Sequence, residues 1–136
     1  MTVVQNIALG ISGVTALGIG GFILASPHDF YASYGIALGA DPSLLSELRA
    51  PGAGLAAFGA VMLAGIVRPA LRQAAVVAAL TVFLAFPAGR VLGIVADGLP
   101  SQGILAALAL ELAIAALCLF AFRPVSARVG PGIAAS

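Results

Sequence analysis

Four long stretches of this 136-residue chain are almost free of charge, and they constrain its fold more than any other feature. The stretches cover about residues 5–25, 50–67, 73–96 and 103–122. At about 1.5 Å per residue, a helix of each length can cross the roughly 30 Å hydrocarbon core of a bilayer. With 62% hydrophobic and 8% charged residues, the chain cannot cover a globular surface in water. The sequence therefore predicts an all-α integral membrane four-helix bundle, a single transmembrane domain over residues 1–136.

Arginine is concentrated in one connection and in the C-terminal tail. Arg68 and Arg72 lie between the second and third spans, and Arg123 and Arg128 follow the fourth span. The other two connections carry acidic residues. Because positive charge favours the cytoplasmic side, we expect the second loop, both termini and the tail 123–136 in the cytoplasm. No Lys or Arg precedes the first span, so we expect it to be retained rather than cleaved as a signal.

The first outward connection contains two patterns that are typical of helix starts. Ser26 precedes Pro27, and Asp41 precedes Pro42. Each pair combines a capping side chain with proline in the first helical turn. We therefore expect a short interfacial helix after Ser26, ending near Tyr34, and a second helix that runs from Pro42 directly into the second span.

Three aromatic residues, Phe30, Tyr31 and Tyr34, lie in the predicted interfacial helix. Aromatic rings with a polar tip favour the headgroup region of a bilayer. The pattern predicts an interfacial anchor, and a lid over a bound ligand is the alternative.

Glycine recurs in the first three spans, including the pair Gly89 and Gly93 in the third. Small residues let helix backbones approach closely in a membrane, where dispersion and weak polar contacts replace the hydrophobic drive. The bundle should be tightly packed. The pair Gly89 and Gly93 fits either packing within one chain or contact with another helix.

Two charged residues, Arg90 and Glu111, fall inside predicted spans at similar depths below the outward boundary. An unpaired ion at such depth costs about 2.5–3.5 kcal/mol or more. We therefore expect Arg90 and Glu111 to pair. Asp97, Glu47 and Arg49 lie near the same outer level, and we expect all five charged residues to converge in the outer half of the bundle.

Two interpretations of this cluster remain open at the level of sequence. It is either an ion-pair network that fixes helix register or a site for a ligand or a reaction. The catalytic candidates are Glu111 and Asp97 as acid and base with Arg90 as their partner, and the ligand-binding candidates are Glu47, Arg49 and Tyr34.

The functional hypothesis is a protein that binds a lipophilic small molecule, with or without acid–base chemistry. Proton transfer alone would support double-bond isomerisation, cyclisation or epoxide opening. Holding an anionic headgroup or a carboxylate without chemistry is an alternative. A different class of function is an accessory or scaffold subunit of a membrane complex, or a homo-oligomer, in which the charge cluster is purely structural.

Several classes of function are disfavoured by what the sequence lacks. Cys118 and His28 are single residues without partners at metal-ligand spacing, so we expect neither a metal nor a disulfide. No phosphate-binding loop is present, and we expect no cofactor. Six basic residues without a stripe argue against nucleic-acid binding.

The chain resembles a family of small four-span bacterial membrane proteins that is known only as a domain of unknown function. The resemblance covers roughly residues 7–122. It is carried by Pro27, Tyr34-Gly35, Glu47-Leu48-Arg49 with Gly52 and Gly59, Gly89-Arg90, Asp97-Gly98-Leu99-Pro100 and Glu111. It implies a four-helix membrane fold in a bacterial inner membrane, and it transfers no activity to any residue.

Overall fold

The computed structural model describes residues 1–124, and this part of the chain is all-helical. Its α-helices are α1 (Val3–Ala25), α2 (Pro27–Ala32), α3 (Pro42–Val67), α4 (Arg72–Asp97) and α5 (Gln102–Ala121), with a 3-10 turn at Pro69–Leu71. The four long helices are long and apolar enough to cross a membrane. The predicted all-α fold with four spans is therefore confirmed. Of the predicted tail, residues 125–136 lie outside the described part.

The start of α1 is fixed by a reciprocal cap. The Thr2 hydroxyl accepts a hydrogen bond from the Gln5 amide at 3.2 Å, and the Gln5 side-chain oxygen accepts one from the Thr2 amide at 3.2 Å. These two bonds satisfy amide donors that the helix itself leaves unpaired. Threonine followed three residues later by glutamine is the sequence signature of this cap, and it places the first helical residue at Val3.

The predicted starts of α2 and α3 are confirmed, with one difference in how they are capped. The Asp41 carboxylate accepts from the Ser43 amide at 3.0 Å, and α3 then continues unbroken to Val67. Ser26 makes no side-chain cap and instead donates to the Asp29 carboxylate at 2.7 Å. Ser26 alone separates α1 from α2, so the short helix folds back directly from the end of the first long helix.

The closest packing in the bundle is between α1 and α3. Gly20 lies against the backbone of Gly52 and Ala56, and Gly59 lies against the backbone of Leu17. A Cβ at Gly20 or Gly59 would overlap those backbone atoms. The glycines therefore let the two helices approach to backbone contact, as expected for helices that associate in lipid.

The four long helices form a bundle in which α1 contacts α3, α4 and α5, while α3 and α5 make no close backbone contact within residues 1–124. At the end of the bundle opposite α2, the side-chain Nε2 of Gln5 donates to the Ala121 carbonyl at 3.1 Å. About two turns further along α1, Ser12 Oγ and Cys118 Sγ lie 3.2 Å apart in the core. These contacts join α1 to α5 away from α2. Cys118 is fully buried.

We predict that Gly59→Ala lowers the stability of the bundle by about 1–3 kcal/mol, because the added methyl group must push α1 away from α3. Gly54→Ala is the matched control on the same helix, since a Cβ at Gly54 meets nothing within 4 Å. Thermal unfolding in detergent micelles, followed by circular dichroism, measures both. Equal transition temperatures for the two variants would contradict the close α1–α3 contact.

Candidate functional site

A salt bridge between Arg90 and Glu111 joins α4 to α5. Arg90 Nε donates to the two carboxylate oxygens at 3.0 and 2.9 Å, and Arg90 Nη2 donates to Oε1 at 2.9 Å. The exposed fraction of the side chain is 24% for Arg90 and 11% for Glu111. The predicted pair therefore forms, with the two-nitrogen geometry that makes Arg–carboxylate pairs strong.

The position of the pair follows from the antiparallel arrangement of α4 and α5. Arg90 lies seven residues before the end of α4, and Glu111 lies nine residues after the start of α5. At the helical rise, the two Cα atoms are about 10 and 14 Å from the ends of their helices. The long arginine side chain covers the difference. Gly98, with φ 97°, makes the short turn between the helices possible, because this region favours glycine.

A cavity of about 830 Å³ lies beside this pair. Its walls come mainly from α1, α4 and α5, and α3 contributes only Leu55 among the described lining residues. The polar side chains that line it are Thr15, Tyr31, Tyr34, Arg90 and Glu111. The remaining lining residues are apolar or glycine: Ala16, Ile19, Ile23, Phe30, Ile36, Leu55, Val82, Phe83, Ala85, Phe86, Gly89, Gly103, Ile104, Ala106, Ala107 and Leu110. The site is thus an apolar cavity with an ion pair in its wall.

The aromatic residues of α2 and the following turn cover the cavity at one end, which we call the roof (Phe30, Tyr31 and Tyr34). Phe30 is buried, and its ring packs edge-to-face at 5.1 Å from Tyr31 and 5.0 Å from Tyr34. Phe22 of α1 packs against Phe30 in the same way, with ring centroids 5.5 Å apart. The aromatic cluster therefore lines the cavity, which is the position that a lid over a ligand would occupy.

Two contacts hold the roof to the start of α5. The Ser101 hydroxyl donates to the Tyr34 carbonyl at 2.7 Å. Gly103 lies beneath the Ser33 carbonyl, where an added Cβ would come within 2.8 Å of the oxygen. A larger residue at position 103 would displace the Ser33 backbone and the roof that adjoins it. Glycine at this position therefore lets the roof lie against the start of α5.

The two roof tyrosines are protonated at neutral pH. Burial is the main cause that raises the pKa of Tyr31 above its ordinary value of 10.0, and the neighbouring Tyr34 raises it further. Burial also raises the pKa of Tyr34, and in both residues the positive charge of Arg90 partly opposes the rise. Both hydroxyls therefore remain available as hydrogen-bond donors close to Arg90.

The expected convergence of five charged residues does not occur within residues 1–124. Asp97, Glu47 and Arg49 are exposed, and none of them lines the cavity or bonds to the Arg90–Glu111 pair. Arg49 Nη1 instead donates to the Leu24 carbonyl at 3.1 Å. Asp97 ends α4, and Glu47 and Arg49 precede the second apolar stretch, which begins at about residue 50. Water and headgroups can solvate an ion at these positions, so no energetic need draws them to the pair.

The contributions of α1 and of Tyr31 to the cavity were not predicted from the sequence. The positions of the charged residues predicted a site among the second, third and fourth spans, which are α3, α4 and α5. The cavity instead lies mainly among α1, α4 and α5. Thr15 is the one polar side chain that α1 gives to the lining, and a single threonine in an apolar span is too weak a signal. The aromatic pattern predicts an anchor for Tyr31, and an anchor need not face a cavity.

Among residues 1–124, no three His, Cys, Asp or Glu side chains lie close enough to hold a metal ion. His28 Nε2 is hydrogen-bonded with the Gly39 carbonyl at 3.0 Å. This contact ties α2 to the connection that leads to α3.

Comparison with known proteins gives a family but no function. The model of a family described as "Domain of unknown function (DUF4345)" matches residues 4–122. No curated protein and no solved structure matches the chain.

We predict that Glu111→Gln and Arg90→Gln each lower stability by about 1.5–3 kcal/mol, because each leaves a partly buried ion without its partner. The double variant should lose less than the sum of the two, since neither ion then remains. Unfolding of all four proteins in detergent micelles gives the coupling energy. Strictly additive losses would show that the two side chains do not interact.

Proposed function

The chain belongs to the DUF4345 family, whose description assigns no function, and we propose that it binds a lipophilic small molecule in the cavity beside Arg90 and Glu111. The observation that carries this proposal is the combination of an apolar cavity of about 830 Å³ with an ion pair in its wall. Binding cavities for small molecules are typically of this size, mostly apolar, with a few polar groups that orient the ligand.

A purely structural ion pair would not need an adjoining space of this size. The lining includes Phe86 and Leu110, which are 41% and 49% exposed. These side chains favour entry from the bilayer, between helices, for a molecule that already dissolves in lipid.

The catalytic form of this proposal assigns proton transfer to Glu111 and the orientation of its carboxylate to Arg90. Both oxygens of Glu111 accept from Arg90, so the geometry of the carboxylate is fixed while its edge borders the cavity. Double-bond isomerisation of the bound molecule would need only such a group, because the carboxylate can take a proton from one carbon and return it to another. Asp97 lies outside the cavity wall, so this form of the proposal assigns it no step.

The second candidate is an accessory subunit, and the glycines of α4 favour it. A Cβ added at Gly89 or at Gly93 would meet nothing within 4 Å, so neither glycine serves close packing among the described residues. Such a surface suits the close approach of a helix from another chain. In this candidate function the Arg90–Glu111 pair fixes only the contact of α4 with α5.

We predict that Gly89→Leu removes a co-purifying lipophilic molecule, whereas Gly93→Leu does not. Gly89 lines the cavity, and Gly93 lies one turn further on the same helix without lining it. A leucine at position 89 therefore fills ligand space, and one at position 93 is the matched control. Native mass spectrometry of the proteins purified in mild detergent, followed by solvent extraction, measures the bound molecule.

The two candidate functions give different results in this experiment. Retention of the molecule by Gly89→Leu, or its absence from the wild type, would contradict the binding proposal. An accessory subunit instead predicts a protein partner that co-purifies with the wild type and is lost in both variants.

We also infer that the protein lies in a bacterial inner membrane, with the end that carries α2 facing outward and both termini in the cytoplasm. The arginines of the turn between α3 and α4 support this orientation, since Arg68 and Arg72 flank Pro69–Leu71 at the end opposite α2. Positively charged residues favour the cytoplasmic side of a membrane.

We predict that, in a Cys118→Ala background, Ala40→Cys is labelled in intact cells by a maleimide that cannot cross the membrane. Ala70→Cys, in the turn between α3 and α4, should be labelled only after the cells are permeabilised. Both alanines are exposed, so the reagent can reach either thiol from its own side. The reverse pattern of labelling would invert the orientation.

A further inference from the structure

We propose that the ligand is an uncharged molecule with a carbonyl oxygen, which Arg90, Tyr31 and Tyr34 recognise beneath the roof of the cavity. This inference rests on the proposed function, because it assigns the chemical class of the molecule that binds in the same cavity. It is carried by three properties of the lining: its net charge, its balance of donors and acceptors, and the position of its polar groups.

The charges in the lining cancel. Among the described lining residues, Arg90 and Glu111 alone carry a formal charge at neutral pH, and they are paired with each other. A carboxylate ligand would compete with Glu111 for Arg90 and leave one anion without compensation in apolar surroundings. An ammonium group would likewise add an uncompensated cation. Both are unfavourable in a medium of low polarity, so the site favours an uncharged head group.

The lining offers several N–H and O–H donors beside a single carboxylate. Both carboxylate oxygens of Glu111 already accept from Arg90. Within residues 1–124, the Arg90 Nη1 group has no carboxylate partner, the Tyr34 hydroxyl lies within hydrogen-bonding reach of Arg90, and neither tyrosine hydroxyl donates to an acceptor. These groups can all donate. A carbonyl oxygen accepts two such bonds and donates none, so it uses these donors without requiring an acceptor in return.

Four of the five polar side chains lie near one end of the cavity, and Thr15, ten residues before the end of α1, lies away from the roof. Tyr31 and Tyr34 belong to the roof, and Arg90 lies beside them. Val82, also in the lining, precedes Arg90 by eight residues on α4, which is about 12 Å along the helix. The wall near Val82 is formed by apolar side chains, including Phe83 and Leu55. This arrangement fits a molecule with a carbonyl at one end and an apolar chain that runs into the bundle.

Three probes of equal chain length test the inference: a long-chain methyl ketone, the corresponding alkane and the corresponding fatty acid. Because the chain has two tyrosines and no tryptophan, its intrinsic fluorescence reports on the roof of the cavity. Titration of the purified protein in lipid nanodiscs with each probe then gives three dissociation constants. We expect the ketone to bind roughly tenfold more tightly than the alkane and more tightly than the fatty acid at neutral pH.

Two variants test whether the hydroxyl groups of the roof recognise the carbonyl oxygen. Tyr31→Phe and Tyr34→Phe each remove one hydroxyl and keep the ring, and each retains one tyrosine as the reporter. Each should weaken ketone binding roughly three- to tenfold and leave alkane binding unchanged. Equal affinity for ketone and alkane, tighter binding of the fatty acid, or unchanged ketone binding in both variants would overturn the inference while the proposed function stands. If none of the three probes binds, the proposed function fails together with it.

Discussion

The contact between the Arg90 guanidinium and the Glu111 carboxylate determines how the second half of the bundle is built. Either ion alone within an apolar membrane span would cost free energy, because it would have no partner. Together they form a pair with no net charge, and its hydrogen bonds fix the relative orientation of the two side chains. Since Arg90 belongs to α4 and Glu111 to α5, the pair sets the register of the two helices. The same pair places the only two formal charges among the described lining residues in the wall of a largely apolar cavity.

The bundle divides its packing between a tight side and an open side. Glycines bring α1 and α3 to backbone contact, so this half of the bundle has no room for a ligand. On the other side, α1 meets α5 through Gln5 and Ser12 near the end opposite α2. Toward α2, the side chains of these two helices line the cavity instead of filling it. Rigid packing on the first side thus supports the space on the second.

The features that could be predicted from the sequence are those that the bilayer itself requires. Long apolar segments in lipid must be helices, and an arginine and a glutamate at matched depth must pair, so the four spans and the Arg90–Glu111 contact could be predicted. Asp97 and Glu47 could not be placed in this way, because ions near helix ends are solvated in any orientation. The contribution of α1 to the cavity could not be predicted either, because Thr15 is its only polar side chain among the described lining residues. Which helices lie side by side also depends on their packing, which the sequence pattern does not specify.

The closure of the roof has a consequence for how molecules are selected. The helix α2 is joined to α1 through a single residue, Ser26, and its following turn is bonded to α5 through Ser101. For the ligand that we propose, a cover fastened on both sides would impede direct entry from water, and exchange with the cavity would proceed sideways through the surrounding lipid. The concentration that governs occupancy is then the one within the membrane. Compounds are enriched or rejected first by their partition coefficient, before any contact with the protein is made.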